Sequence, residues 1–175
     1  MYFESFPITH FAATKGSDPK IVTNLLRRVA LRAQVAQNIL MFDTYDVKEG
    51  ESPEMIAPKL YGDAELHWLV LFANNIVNRF HDWPMNNNQF LSYIADRYDD
   101  VNAVHHYEIS QSSGDTTEKI DVGTSNADYP TATAITNLEF EEAEQDKKRK
   151  IRLLDPSFVP QIIEEFQELM KETPI

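Results

Sequence analysis

Cysteine is absent from the 175 residues, so no disulfide framework and no thiolate metal site can form. Redox arguments therefore do not fix the compartment, and a reducing cytoplasm is compatible. Basic residues are scarce: 16 Lys and Arg stand against 28 Asp and Glu, a net charge of −12. A protein that grips nucleic acid needs clustered cations for the phosphates. The one basic run, Lys147-Lys148-Arg149-Lys150, follows an acidic run from Glu139 to Asp146 that nearly cancels it. It reads as a solvated or partner-facing pattern. No apolar stretch approaches the ~20 residues of a membrane span. The opening Met-Tyr-Phe-Glu-Ser-Phe-Pro has neither a basic segment nor an apolar run, so no export signal is expected. Also missing are a Gly-rich phosphate loop, an HExxH pair and a nucleophile elbow.

What is present is core-forming material. Hydrophobic residues make up 42% and charged residues 25%, enough for one medium domain or a small domain with arms. Residues 1–17 read as an extended arm, because Tyr2, Phe3, Phe6, Ile8 and Phe11 follow no helical period. Such aromatics dock either on their own chain or on a neighbour. Asp18-Pro19 predicts a helix start, and Ile21, Val22, Leu25, Leu26 and Val29 predict an apolar face reaching about Arg32, at most Asn38. Residues 39–48 read as a strand ended by Gly50. Ser52-Pro53 starts a short helix that stops at Tyr61-Gly62, with Pro58 an obstacle to its last turn. Asp63 caps a second short helix closed by Asn74-Asn75. Residues 76–85 are irregular, a helix spans about 87–98, and a strand lies within 103–110. Residues 111–134 form a loop or weak hairpin, its best strand fragment Lys119 to Val122. Residues 147–154 read as a strand, and Asp155-Pro156 opens a final helix with an apolar stripe from Phe158 to Met170.

Candidate chemistry is thin. His105-His106 sits near Asp96, Asp99 and Asp100, but adjacent strand residues face opposite sides, so one ion is hard to chelate. His67 and His81 have no partner nucleophile. Glu49, Glu51 and Glu54 suit a helix dipole better than a glycosidase pair. Trp68 belongs to an apolar helix and reads as core. Trp83, before Pro84 in an irregular stretch, is the better candidate for a partner contact.

One constellation stands out: Tyr45-x-Val47-x-x-Gly50-Glu51-Ser52, then Ile56-Ala57, Leu60-Tyr61-Gly62, Leu66, Trp68, Leu71 and Asn74-Asn75. Strand, Gly turn, two short helices and paired Asn resemble the LysM module, a small βααβ fold. The two helices are too short to stand alone. The Tyr61-Gly62, Trp68 and Asn74-Asn75 version resembles LysM-like proteins of phage tails. With its arm and its Ile151-Arg152-Leu153-Leu154-Asp155-Pro156 ending, most of the chain resembles the small wedge proteins of T-even-type contractile-tail baseplates, the products of gene fifty-three.

The resemblance implies an α+β protein: a LysM-like βαα(β) core at 39–85, an N-terminal arm and helix at 1–38, and a C-terminal α+β region at 86–175. The helical N- and C-terminal extensions would embrace neighbours, and the 111–134 loop would be flexible. It further implies a non-enzymatic structural subunit of the virion tail baseplate, assembled in the host cytoplasm without a cofactor, a nucleic acid or a membrane. Six copies would join neighbouring wedge proteins around the hub, touching the sheath-initiating wedge protein and the tail hub and tube proteins. Expected partner-binding residues are Tyr2, Phe3, Phe6, Phe11, Trp83, Phe158, Ile162 and Phe166. The positions matching the sugar groove of LysM modules are Gly50, Glu51, Ser52, Asn74 and Asn75. Glu51 and Pro53 depart from the Asp-Thr-Leu loop type, which weakens the alternative of a peptidoglycan- or chitin-binding module. Residues 1–17 and 156–175 would then be needed for assembly and dispensable for folding.

Overall fold

A computed structural model describes residues 2–27, 29, 30, 38–112, 114 and 117–171. The chain is α+β and divides into two units. The first comprises Met1–Asp46, Glu51–Phe80 and Ile151–Ile175, the second Val47–Gly50 and His81–Lys150.

The first unit opens with a 3-10 turn at Tyr2–Ser5 and a hairpin of β1 (Ile8–Phe11) and β2 (Lys20–Thr23). The two strands run antiparallel, Ile8 opposite Thr23 and Phe11 opposite Lys20. The helix expected from Asp18-Pro19 is therefore replaced by a strand over its first turns. The β-branched run Ile21-Val22-Thr23 favours extended backbone, and the cross-strand partner at 8–11 settles the competition. The rest of that expected helix runs into residues 31–37, outside the described residues.

A 3-10 turn at Ile39–Met41 leads into β3 (Phe42–Asp46). Helix α1 (Pro53–Tyr61) follows Ser52 at its N-cap and ends at Gly62, whose φ of 76° gives the left-handed exit. Pro58 is accommodated: the Gly62 N–H still reaches the Pro58 carbonyl at 3.2 Å. The Asp63 carboxylate accepts from the Glu65 N–H at 2.8 Å, capping a 3-10 turn that continues into α2 (His67–Ala73). Helix α3 (Arg79–Asp82) is one turn long. It lies where the resemblance places a second strand. The strand that does pair with β3 is β7 (Lys150–Leu154), from the far end of the chain. Asp155 N–H bonds the Met41 carbonyl and Val47 N–H the Arg149 carbonyl, both at 2.9 Å, so the pair is antiparallel. A 3-10 turn at Pro156–Phe158, capped by Asp155, opens α6 (Val159–Lys171).

The core of this unit joins Phe42, Leu69, Ala73, Leu154, Val159 and Ile162. β3, α2, β7 and α6 each contribute, and Tyr61 of α1 packs against them. On α6 the buried Val159, Ile162, Phe166 and Met170 recur at helical spacing.

In the second unit, α4 (Asn87–Arg97) starts with a reciprocal capping box between Asn86 and Gln89. A three-stranded antiparallel sheet has β4 (Val104–Ser110) between β5 (Lys119–Gly123) and β6 (Thr133–Thr136). Helix α5 (Asn137–Arg149) follows, with a second capping box between Thr136 and Glu139. This helix is not anticipated by apolar periodicity because its buried stripe is polar. Asn137, Glu141 and Gln145 lie four residues apart and are all buried. The Asn137 amide donates to the Asp100 carbonyl at 2.9 Å, Tyr98 donates to Glu141 at 2.8 Å, and Met85 N–H donates to Gln145 at 2.9 Å. The strand expected at 147–154 begins only at Lys150, because Lys147, Lys148 and Arg149 complete the last turn of α5, where cations suit the helix dipole.

Candidate partner-binding site

All eight residues of the two hairpin strands are exposed. Side chains alternate across a strand, so the register puts Ile8, His10, Ile21 and Thr23 on one face and Thr9, Phe11, Lys20 and Val22 on the other. Apolar groups thus stand on both faces, with Phe11 at 59% and Ile8 at 72% exposure. A lone two-stranded ribbon is marginal in water. Its base is closed by the Asn24 N–H to Pro7 carbonyl bond at 2.8 Å. Exposed apolar groups continue beyond it, at Leu26 with 91% and, further along the chain, at Phe80 with 89% exposure.

The other expected contact residues divide. Phe6 is half-buried, and the side chains of Tyr2 and Phe3 lie outside the described residues. Trp83 is a buried residue of the second unit at 8% exposure, so as the chain folds alone it does not present a contact surface; Phe80 is the exposed aromatic of that stretch. Ile162 and Phe166 are buried at 5% each, and Phe158 is half-buried against the same core. The Phe166 ring lies 4.7 Å from Trp68 and 6.4 Å from Phe72. The stripe of α6 packs on its own chain because β7 delivers the helix directly onto α2.

The sugar-groove positions are equally occupied by the fold. The Asn74 side chain donates to the Val70 carbonyl at 2.8 Å and to the Arg152 carbonyl at 2.7 Å, and accepts from the Arg152 N–H at 2.8 Å. Its amide thus imitates a strand neighbour for β7. Glu51 is buried, accepting from the Tyr45 hydroxyl at 2.8 Å and pairing with Lys59. Burial first, and then the Glu51 carboxylate, push the Tyr45 hydroxyl up to about 12. Burial likewise pushes Tyr61, whose hydroxyl bonds the Leu154 carbonyl at 3.1 Å, up to about 12. Ser52 holds the α1 N-cap position. Asn75 takes the left-handed conformation at φ 53° and Gly50 does so at 69°. Burial pushes the Glu54 carboxyl up, but its own backbone N–H, the Ser52 hydroxyl and Arg79 outweigh that and leave it below its ordinary value.

His105 and His106 depart from the expected opposite facing. The β4–β6 register shifts between Val104 and His106, a bulge that re-aims side chains. The two Nδ1 atoms come within 2.9 Å, His106 Nε2 lies 3.1 Å from Glu108, and His105 stacks on Phe140 at 3.9 Å. Among the described residues no group of three or more potential metal ligands converges.

The pattern that defines base plate wedge protein 53 of phages matches residues 1–121. The chain belongs to that family. The wedge-protein resemblance read from the sequence is thereby established, and with it a structural role in the phage tail baseplate. The matched stretch runs from the arm through α1, α2 and β4 into β5. Among curated proteins, none is similar enough to match.

Proposed function

We propose that this wedge-family chain is a connector that joins neighbouring wedge proteins around the tail hub, in several copies of a sixfold assembly. The β1–β2 hairpin is its principal exposed handle. The observation that carries this reading is the hairpin's exposure of apolar side chains on both faces, in a chain whose family builds base plates. Apolar groups left outside the chain's own core are the material of protein interfaces. Phe11, Ile8, Ile21 and Val22 are the anchors, while Ile162 and Phe166 act by holding the unit that presents them. Contacts to the sheath-initiating protein and to hub and tube proteins, and assembly in the host cytoplasm, belong to this reading. So does a LysM-like ancestry of the first unit: β3, α1, α2 and β7 run strand, helix, helix, strand, with residues 74–149 between the last two in sequence. Sugar binding finds no support, since the polar atoms of Asn74 and Glu51 serve the fold.

The test replaces residues 8–23 by two glycines joining Pro7 to Asn24, whose backbones already touch. The shortened chain is expected to fold and to fail to enter wedge complexes in sedimentation. Normal incorporation would sink the connector reading of the hairpin.

A further inference from the structure

A sheet of two strands has two open edges, and among the described residues no third strand pairs with β1 or β2. The register fixes which backbone groups each edge offers. The Asn24 N–H bonds the Pro7 carbonyl, and hydrogen-bonded pairs alternate along an antiparallel ladder. Thr9 and Phe11 therefore direct their backbone groups at Val22 and Lys20, while Ile8 and His10 turn theirs away from β2. A proline precedes each strand, but only β2 carries a lysine, Lys20, the residue that most often guards an edge against strand addition. The β1 edge, Ile-Thr-His-Phe, has no such guard. Charge is also uneven along the chain. Of the 28 acidic residues only Glu4 and Asp18 fall within the first 32, against Lys15, Lys20, Arg27, Arg28 and Arg32. That stretch carries +3 and the other 143 residues −15, which together give the −12 of the whole. Arg27 is engaged, donating to the Leu169 carbonyl at 2.6 Å. The hairpin itself presents Lys15 and Lys20 against Asp18, all exposed.

We propose that a neighbouring base plate protein adds an extended, acidic segment to the open edge of β1, turning the hairpin into a three-stranded sheet. The inference rests on the connector reading above and names the binding mode and the partner's chemistry. Three observations select this occupant. The outward backbone groups of Ile8 and His10 are paired in series by another extended chain and not by a helix, whose own groups are already bonded. Ile8 and Phe11 lie on opposite faces of β1, so a flat surface covers one of them, whereas a strand laid alongside reaches both. Lys15 in the connection and Lys20 on β2, in a stretch of net +3, favour carboxylates and repel a second hairpin of the same chain. A third strand also supplies the support that a lone ribbon lacks in water.

The experiment measures binding of the purified full chain to wedge complexes assembled without it, at low and high salt. His10→Pro removes an outward N–H and leaves the ladder to β2 in place, since proline is tolerated on an outward edge. His10→Ala keeps that N–H and loses the side chain. Thr23→Pro does to the β2 edge what His10→Pro does to β1. A Lys15→Glu, Lys20→Glu double variant reverses the charge. Each is checked for folding by its circular dichroism melt. His10→Pro and the charge reversal are expected to weaken binding about tenfold, and His10→Ala and Thr23→Pro to stay within about twofold of wild type. Wild-type affinity is expected to fall with salt. A photo-crosslinking Ala12→p-benzoylphenylalanine variant, one residue past β1, identifies the segment alongside, which is expected to carry Asp or Glu. Binding of His10→Pro equal to wild type overturns the inference, as does a loss in Thr23→Pro or His10→Ala as large as in His10→Pro. A charge reversal without effect, or a cross-link to a second copy of this chain or to a peptide without a carboxylate, overturns it too. Wild type that binds no wedge protein, or unimpaired entry of the chain lacking residues 8–23, is a different result, which removes the connector reading itself.

Discussion

At the residue scale, Asn74 is the side chain on which the first unit turns. Its amide replaces a missing strand neighbour for Arg152 and ties the end of α2 to β7. Asn74→Ala removes three hydrogen bonds and leaves the Arg152 backbone without them. Net losses of about 1 kcal/mol per bond predict a destabilisation of about 2–3 kcal/mol, read from the urea midpoint. Asn74→Asp keeps the acceptor but turns a carboxylate oxygen towards the Val70 and Arg152 carbonyls, so it should destabilise at least as much. Tyr45 and Tyr61 give a second prediction. Their folded values near 12 lie above the ordinary 10, so the folded chain holds its protons more tightly than the unfolded one. The stability this supplies is full below pH 10 and is lost as pH rises towards 12. Melting temperature should therefore drop across that window, and drop less in a Tyr45→Phe, Tyr61→Phe double variant; an equal drop in both proteins would remove these tyrosines from the account.

At the element scale, the fold separates the hairpin from α6, to which the sequence gives the same role. Aromatic residues on an arm and an apolar stripe at the C-terminus both look like material for a partner. Only coordinates separate them, because the strand partner of β3 is about a hundred residues away and brings α6 with it. Removing residues 156–175 therefore deletes Val159, Ile162, Phe166 and Met170 from the core. At about 1.5–3 kcal/mol per buried side chain, the loss rivals the whole stability of about 5–15 kcal/mol. The truncated chain is expected to lose its cooperative melt, whereas excising residues 8–23 should shift the melting temperature by only a few degrees. A cooperative melt after the C-terminal truncation would contradict the packing of α6. The acidic helix α5 shows why the second unit was harder to read. Its buried face is Asn137, Glu141 and Gln145, so apolar periodicity is silent, and the surviving signal was Thr136 and Glu139 at capping-box spacing.

At the scale of the whole molecule, local chemistry in the sequence was legible and distant pairing was not. Ser52-Pro53, Gly62, Asp63 and Asp155-Pro156 mark helix starts and stops that the structure keeps, and Ser52, Gly62 and Asp155-Pro156 are also among the residues that carry the family resemblance. The strand at 20–23 was misread because Ile21, Val22 and Leu25 satisfy a helical period as well as a strand, and only the residues opposite decide. The candidate interface was visible as Phe6, Phe11 and their neighbours, yet Phe80 and Val77 were not, since isolated apolar residues in an irregular stretch carry no period. The bulge that brings His105 to His106 is likewise a tertiary event.

The proposed connector joins wedge proteins through its exposed hairpin and does not bind cell-wall sugar. The most direct measurement incubates the purified chain with wedge complexes that lack it, and in parallel with insoluble peptidoglycan, and follows both by co-sedimentation. The chain is expected to enter the wedge complexes, the version lacking residues 8–23 is expected to stay out, and neither should pellet with peptidoglycan. Pelleting with peptidoglycan and no entry into wedge complexes would contradict it.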